Sequence, residues 1–195
     1  MSRLLLWRHG LTEWNAAGRI QGQLDAPLAD EGIRQAEKAA AVLAALGPAS
    51  IVSSDLARAR RTAEELAVRT GLTVSVDPRL RERHWGDWQG STHAELQVAD
   101  PERYAAWRDG GRIDVPGAET NEVVGARAAD ALRAAASTGD TVVVVSHGGA
   151  LRYGLASLLG TPGLPRVLGT LGNCRWADVR ARGDRWVLHA YNLGA

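Results

Sequence analysis

The chain has 195 residues, of which 45% are hydrophobic and 23% charged, and its formal net charge is +1. The length suits one compact domain over residues 1–195. The near-neutral charge gives no bulk attraction to nucleic acid or to an anionic membrane, and no apolar run approaches membrane-spanning length. Cys174 is the only cysteine, which excludes a disulfide framework. Too few apolar residues precede Arg8 for a signal peptide, so we expect a cytoplasmic protein.

Strands and helices are predicted to alternate along the chain. Apolar runs predict strands at residues 3–7, 50–53, 73–76 and 141–145. Helical spacing predicts a helix over residues 30–46 with Asp30 as its cap, a helix that Asp55 caps and Gly71 ends, and helices over residues 119–137 and 150–159. Residues 8–27 are predicted as a loop.

Two further segments complete the predicted fold. Residues 77–118 form an irregular insertion with short helices, one beginning at residues 100–101, and we expect it to act as a lid over the site. Residues 175–181 and 185–191 flank a Gly-Asp pair and predict a hairpin. The element order predicts an α/β fold, a three-layer sandwich with a mostly parallel central sheet and an antiparallel edge.

Two histidine motifs each follow a predicted buried strand directly. Residues 8–10 read Arg-His-Gly after one apolar run, and residues 146–149 read Ser-His-Gly-Gly after another. Ligands of open α/β sheets bind beyond the carboxyl ends of the strands, so His9 and His147 are expected to face each other there. Neutral imidazole is a competent nucleophile, and arginine matches phosphate oxygens with paired hydrogen bonds. The motifs therefore favour attack on a phosphoryl group.

Five motifs in chain order carry a resemblance to a known family. They are residues 8–15 (RHGLTEWN), 19–28 (RIQGQLDAPL), 53–59 (SSDLARA), 80–90 (LRERHWGDWQG) and 146–149 (SHGG). The set spans nearly the whole chain and resembles the histidine phosphatase superfamily, also called the phosphoglycerate mutase-like family. That resemblance implies the fold predicted above.

The resemblance also implies roles for individual residues. His9 is the implied nucleophile that becomes phosphohistidine, and Glu82 is the implied proton donor and then the base for water. The resemblance implies that Arg8, Arg58 and His147 take part in catalysis by binding the phosphate. The implied phosphate-binding set comprises Arg8, Asn15, Gln21, Gly22, Arg58, His147 and Gly148. No metal ion and no cofactor are implied.

Each assignment has a plainer alternative. Glu82 has arginine neighbours on both sides, which is also typical of an exposed, ion-paired carboxylate. Arg58 lies in an arginine-rich helix start, and its place near the helix N-terminus favours it over Arg60 and Arg61. A zinc site from His9, His147, Glu82 and His84 lacks any known ligand spacing. The family pattern is altered at residue 29, where Ala replaces Thr, and at residue 118, where Ala replaces Gly; neither change removes a catalytic group.

Three functions from different classes follow. Residues 82–86 (ERHWG) resemble the Glu-Arg-His-Tyr-Gly run of cofactor-dependent mutases, but those mutases are longer and carry an insertion after it. A phosphomonoesterase is therefore favoured over a mutase, and the intact residue set argues against an inactive domain that binds phosphorylated ligands. Residues 53–56, 69–72, 79–82 and 86–94 resemble the glucosyl-3-phosphoglycerate phosphatase branch, which implies a phosphorylated sugar acid as substrate. The expected partner is a small phosphate ester, and a homodimer stays open.

Overall fold

A computed structural model describes residues 2–110 and 114–195. Its strands are β1 (Arg3–Arg8), β2 (Ser50–Ser53), β3 (Val74–Val76), β4 (Thr141–Ser146), β5 (Trp176–Arg182) and β6 (Arg185–Leu193). Its α-helices are α1 (Glu13–Ala16), α2 (Asp30–Ala45), α3 (Ala57–Thr70), α4 (His93–Ala99), α5 (Pro101–Arg108), α6 (Asn121–Ala135), α7 (Gly148–Leu158) and α8 (Leu164–Val167). No helix of the described residues is both long enough and apolar enough to cross a membrane.

The strands form one sheet in the order β3-β2-β4-β1-β5-β6. The first four strands in this order are parallel, and β5 and β6 add an antiparallel hairpin at one edge. Alternation along β1 sends Leu4 and Leu6 into a core with α6 and α7, whereas Leu5 and Trp7 pack against α2 and α3. The predicted three-layer α/β sandwich with a mostly parallel sheet and an antiparallel edge is confirmed.

The register of the two central strands places both histidine motifs side by side. Arg8 at the end of β1 pairs with Ser146 at the end of β4. The backbone N–H of His9 continues the ladder by donating to the Ser146 carbonyl over 3.0 Å. His9 and His147 are therefore the first residues beyond two adjacent, parallel carboxyl ends.

Two predicted helix caps are wrong. Asp55 does not cap α3, because its carboxylate forms hydrogen bonds of 2.8 and 3.0 Å with the Arg81 guanidinium. The first turn of α3 receives its acceptor from a distant loop instead, since Asp25 accepts the Ala57 N–H over 2.8 Å. Asp30 lies inside the first turn of α2 and makes no capping bond there. The predicted loop over residues 8–27 also contains the short helix α1.

The insertion has a small hydrophobic core of its own. Trp88 is buried there, with Leu96 and Val115 from the insertion and Ile20 from the loop after β1. The indole N–H of Trp88 donates to Asp100 over 3.0 Å, and α5 begins at Pro101 as predicted. The insertion is thus tied to the loop that follows His9. Residues 111–113 of the predicted lid lie outside the described residues.

Asp178 on β5 forms ion pairs with Arg3 on β1 and with Arg180 on its own strand. Nη2 of Arg3 and Nη2 of Arg180 each lie 2.8 Å from its Oδ2 atom, and only 6% of the Asp178 side chain is exposed. Burial alone raises the pKa of this carboxyl, but the hydrogen bonds from Arg180 and Arg3 outweigh it and lower the pKa from 3.8 to about 2. The ionised form therefore stabilises the fold.

We expect Asp178→Asn to lower the free energy of unfolding at neutral pH by about 2 kcal/mol. The stabilisation is present above the unfolded pKa and is lost as pH falls through the folded value of about 2. Urea denaturation at about pH 7 and at about pH 2 measures the difference, which should shrink in acid. Asp184→Asn, in the exposed hairpin turn, is the control. A loss of equal size at both pH values would contradict the ion-pair explanation.

Candidate active site

A cavity of about 340 Å³ opens where β1 and β4 end. Most of the site residues predicted from sequence line it: Arg8, His9, Asn15, Gln21, Gly22, Arg58, Glu82 and Gly148. The insertion contributes Trp85, Trp107 and Arg108 to the wall, with His93 stacked on Trp107 at 5.5 Å between ring centroids. The cavity therefore has a cationic side, which contains His9, and an aromatic side, which contains His93.

His9 is held as a neutral imidazole with a defined tautomer. Its Nδ1 atom lies 2.7 Å from the carbonyl oxygen of Gly10. Since a carbonyl only accepts, Nδ1 carries the proton and Nε2 keeps its lone pair. Burial, followed by the positive charges of Arg58 and Arg8, lowers the pKa of His9 well below its usual value. His9 is thereby kept in the form that can attack an electrophile.

Arg58 is a buried cation, and the protein leaves some of its N–H groups without an acceptor. Its guanidinium donates to the carbonyls of Gly22 and Leu24 over 2.7 and 2.8 Å, and its Nε donates to Nδ1 of His147 over 3.2 Å. These bonds engage three of its five N–H groups, so two are left for a ligand. Burial lowers the pKa of Arg58 to about 10, which leaves it charged at neutral pH.

Arg8 supplies a second cation to the same wall. Its Nη1 donates to the Leu171 carbonyl over 2.6 Å, which fixes the side chain. Its Nε is buried and has no hydrogen-bond partner within the part of the chain that the structure describes. Arg8 and Arg58 together therefore offer a converging set of N–H donors, the kind of site that binds a tetrahedral oxyanion.

His147 lies behind the cavity wall. Its ring is fully buried, 5.1 Å from the His9 ring between centroids. Nδ1 accepts from Arg58, so Nε2 carries the proton and donates to Ser54 Oγ over 2.9 Å. Burial, then Arg58 and His9, lowers its pKa well below the usual value. In this arrangement His147 orients Arg58, and its direct contact with a phosphate stays a prediction.

Glu82 is bound at the N-terminus of α7. Its carboxylate accepts backbone N–H groups from Gly149 over 2.9 Å, Ala150 over 3.0 Å and Arg83 over 2.8 Å. The dipole of α7 adds a favourable interaction with the negative charge. A Cβ atom on Gly149 would lie 2.4 Å from Glu82 Oε1, so this approach requires glycine. The structure thus brings Glu82 and His9 to one cavity.

Two polar side chains extend the anion-binding wall. Asn15 accepts at Oδ1 from Thr12 and from Asn173, which leaves its NH2 group available to donate to a ligand. Gln21 is buried, and its Oε1 has no hydrogen-bond partner among the described residues. Gly22 contributes through its carbonyl, which accepts from Arg58. The predicted phosphate-binding residues therefore meet at the same cavity, except for His147.

Sequence reasoning missed Arg127 on α6. All five of its N–H groups donate: to the carbonyls of residues 79, 81 and 82, and to both carboxylate oxygens of Glu119, over 2.6 to 3.1 Å. Arg127 thus fixes the backbone that carries Glu82. The only sequence signal was Glu119, in the segment where the family pattern has a shared motif, and nothing local linked it to a residue on α6.

No three His, Cys, Asp or Glu side chains converge as metal ligands within residues 2–110 and 114–195. Among the nearby titratable groups, Cys174 is buried, and burial raises the pKa of its thiol to about 12. It is therefore protonated at neutral pH and acts as a small apolar side chain. The donor set of the cavity consists of imidazole, guanidinium, amide and carboxylate groups.

Comparison with known proteins identifies the family. The family model for the histidine phosphatase superfamily (branch 1) matches residues 4–194. The chain belongs to the histidine phosphatase superfamily. It is 44% identical to the glucosyl-3-phosphoglycerate phosphatase of Mycolicibacterium vanbaalenii, over 99% of this chain and 95% of that protein. It is also 37% identical to the probable phosphoglycerate mutase GpmB of Cronobacter sakazakii, over 96% of this chain and 88% of that protein.

Solved structures of the superfamily agree with this assignment. A structure of mycobacterial glucosyl-3-phosphoglycerate phosphatase with VO3 matches with a TM-score of 0.91 at 40% identity, covering 98% of this chain and 99% of that one. A second structure, Bacillus stearothermophilus YhfR, matches with a TM-score of 0.90 at 29% identity, over 98% of this chain and 97% of that one. The predicted family, its fold and the predicted enzyme class, a hydrolase of phosphate esters, are confirmed.

Arg127→Lys tests whether this arginine positions Glu82, the implied proton donor. We expect kcat/KM for alkyl phosphates to fall by up to about 100-fold, because a small displacement of a catalytic group is costly. The loss for p-nitrophenyl phosphate should be smaller, because nitrophenolate leaves without a proton. Steady-state kinetics on both substrates measures the difference, with Arg133→Lys on the exposed face of α6 as control. Equal losses on both substrates would indicate a purely structural role.

Proposed function

We propose that this phosphatase hydrolyses a phosphorylated sugar acid, without a metal ion, through a phosphohistidine at His9. The observation that carries the proposal is the neutral His9 imidazole, which keeps its lone pair at Nε2 beside the guanidinium groups of Arg8 and Arg58. Phosphoryl transfer depends mainly on positioning and charge stabilisation, which this arrangement supplies from the protein alone.

In the first half-reaction, His9 Nε2 attacks phosphorus and the bond to the leaving oxygen breaks. Arg8 and Arg58 stabilise the negative charge on the equatorial oxygens through N–H donors that the protein leaves open. Protonated Glu82 gives its proton to the leaving alkoxide. The products are an alcohol and a phosphoryl group on nitrogen, with Glu82 as a carboxylate bound to the N–H groups of α7.

In the second half-reaction, the Glu82 carboxylate takes a proton from water as the water attacks phosphorus. The P–N bond breaks, inorganic phosphate leaves, and both His9 and Glu82 return to their starting states. Hydrolysis requires water at the phosphohistidine. Arg108 and Thr170 line the cavity and are solvent-exposed, so the cavity has an open side, whereas a mutase must keep water out while its intermediate turns over.

The substrate class is supported by the relatives. Proteins named glucosyl-3-phosphoglycerate phosphatase align with nearly the whole of this chain at 41–44% identity. The aromatic side of the cavity, with Trp85 and Trp107, offers flat apolar surface to the carbon skeleton of a sugar acid, while its cations face the phosphate. A panel of phosphate esters that includes 3-phosphoglycerate, assayed for both phosphate release and 2-phosphoglycerate formation in the presence of a chelator, separates the phosphatase from a mutase.

His9→Ala should abolish turnover, because it removes the neutral imidazole on which the positive charges of Arg58 and Arg8 act. Brief reaction of the wild type with 32P-labelled substrate, followed by rapid quench, should give an acid-labile and base-stable phosphoprotein labelled at His9. His189→Ala, on the exposed face of β6, should label and turn over as the wild type does. A label on His147, or no label in a quench fast enough to resolve one turnover, would refute the phosphohistidine.

Glu82→Gln should slow alkyl phosphates strongly and p-nitrophenyl phosphate less in the first step. The variant should still transfer phosphate from nitrophenyl phosphate to His9, but it should release phosphate slowly because the attacking water has lost its base. Stopped-flow absorbance should therefore show a burst of nitrophenolate followed by a slow steady state. Equal slowing of both substrates without a burst would indicate a structural role for Glu82. Asp87 or His84 would then be the next candidate for the proton donor.

A further inference from the structure

Arg152 is a cation beside the active site that the phosphatase mechanism does not use. It lies on α7, one turn after Gly148 and Gly149, and long helical side chains lean toward the helix N-terminus. Its guanidinium therefore reaches back to the cavity, whose wall it forms together with Arg8 and His9. Its Nε is buried and has no hydrogen-bond partner within the part of the chain that the structure describes.

Arg8 and Arg152 both have a buried Nε without a partner, but Arg8 is fixed by its hydrogen bond to Leu171, whereas Arg152 has no hydrogen bond to any of the described residues. Arg127 engages all its donors, Arg83 donates to Glu119 and Asn121, and Arg58 binds two carbonyls. None of the ion pairs found among residues 2–110 and 114–195 includes Arg152. Arg152 is half-buried, and its buried Nε without an acceptor is costly to the free protein, a cost that an anionic ligand relieves.

The neighbouring phenol of Tyr191 does not neutralise Arg152. Burial raises the pKa of Tyr191, so the phenol is uncharged at neutral pH. Its hydroxyl donates to the carbonyl of Gly169 over 2.9 Å. The positive charge of Arg152 is thus added to that of Arg8 on the same wall, which is more cationic charge than one phosphate needs.

Arg152 also lines a second and larger cavity of about 760 Å³. Arg108 lines both cavities as well, so the two arginines mark the boundary between them. The volume lies within the range of about 300–1,000 Å³ that is typical of small-molecule sites. Beyond the boundary the wall offers hydrogen-bonding groups from Asn121, Tyr153 and Ser157. The wall also carries the charged side chains of Asp109, Glu122 and Arg166. Carboxylates accept from hydroxyl groups and guanidinium groups donate to them, so the wall suits a polyhydroxyl group.

We propose that Arg152 binds a carboxylate of the substrate while its phosphate lies against His9, and that the larger cavity holds the sugar. This inference rests on the proposed substrate class. In a phosphorylated sugar acid of the 3-phosphoglycerate type, one carbon separates the carboxylate from the carbon that carries the phosphate, so both anions need cations in one cavity. Arg8 and Arg58 serve the phosphate. Of the other arginines that line this cavity, Arg19 donates to the Gly90 carbonyl and lies near Glu95, and Arg108 is solvent-exposed, so we assign the carboxylate to Arg152.

Two small substrates of similar size test the carboxylate contact. 3-Phosphoglycerate carries phosphate and carboxylate, whereas glycerol 3-phosphate carries phosphate alone. Arg152→Met should lower kcat/KM for 3-phosphoglycerate by roughly 10- to 100-fold, the size of a lost hydrogen bond to a charged group. It should change kcat/KM for glycerol 3-phosphate by much less. Arg152→Lys should restore part of the loss, because it supplies the charge without the two-point contact.

Arg103→Met is the matched control, since Arg103 is exposed on α5 and pairs with Asp100 away from both cavities. It should leave both substrates unchanged. Equal losses on the two substrates in Arg152→Met, or no loss at all, would overturn the assignment of Arg152. So would a wild type that shows no preference for 3-phosphoglycerate over glycerol 3-phosphate.

A second variant tests the larger cavity. Ser157 is exposed on α7 and lines the larger cavity but not the cavity at His9. Ser157→Trp should therefore fill the larger cavity without disturbing His9. We expect a loss of at least tenfold in kcat/KM for glucosyl-3-phosphoglycerate and none for 3-phosphoglycerate. Val167→Trp, on the exposed face of α8, should behave as the wild type. Unchanged kinetics with the glucosylated substrate in Ser157→Trp would overturn the sugar subsite.

Hydrolysis of glucosyl-3-phosphoglycerate by the wild type distinguishes failure of this inference from failure of the proposed function. If the wild type does not hydrolyse glucosyl-3-phosphoglycerate, the proposed substrate class and the sugar subsite both fall, whereas the Arg152 comparison still decides the carboxylate contact. If the wild type hydrolyses glucosyl-3-phosphoglycerate and Arg152→Met lowers kcat/KM equally for all substrates, the proposed substrate class is supported and the carboxylate contact is refuted.

Discussion

The in-register pairing of β1 with β4 is the constraint on which the site depends. It brings two segments from opposite ends of the sequence to one edge of the sheet, so that His9 and His147 follow adjacent strands. The same pairing sets α7 immediately beyond β4, and the N-terminus of that helix binds Glu82. One strand pair thus positions the proposed nucleophile His9, the histidine that orients Arg58, and the carboxylate of Glu82.

Charge is distributed unevenly around the cavity. Buried guanidinium groups keep both histidines neutral, because each additional positive charge nearby opposes protonation of imidazole. In the proposed mechanism the same cations attract the dianionic phosphate. The carboxylate of Glu82 accepts from backbone N–H groups rather than from an arginine, so it leaves the cavity cations free for a ligand. The proposed nucleophile and the proposed phosphate pocket therefore depend on the same two arginines, Arg8 and Arg58.

The sequence was sufficient for the sheet, the main helices and most cavity residues, because apolar runs and motif order are local signals. It failed where partners are distant in sequence. Asp55 looked like a helix cap, but Arg81 offers a two-point ion pair and Asp25 reaches Ala57 from another loop. Arg127 and Arg152 carry no motif, since their importance arises from what the folded chain places beside them. His147 lies beside His9, with 5.1 Å between the ring centroids, as the two motifs indicate, but its burial behind Arg58 could not be predicted from its neighbours in sequence.

The sheet order also has a consequence for biosynthesis. β1 is made first, yet its two neighbours in the sheet are β4 and β5, and Arg3 pairs with both Thr141 and Arg180. During translation the apolar residues of β1 therefore remain without strand partners until β4 and β5 have emerged from the ribosome. Contacts of such long sequence separation slow folding and leave a hydrophobic strand exposed to other chains or chaperones in the meantime. The segment that leads into His9 is thus synthesised before either of its strand partners and is among the last to be enclosed.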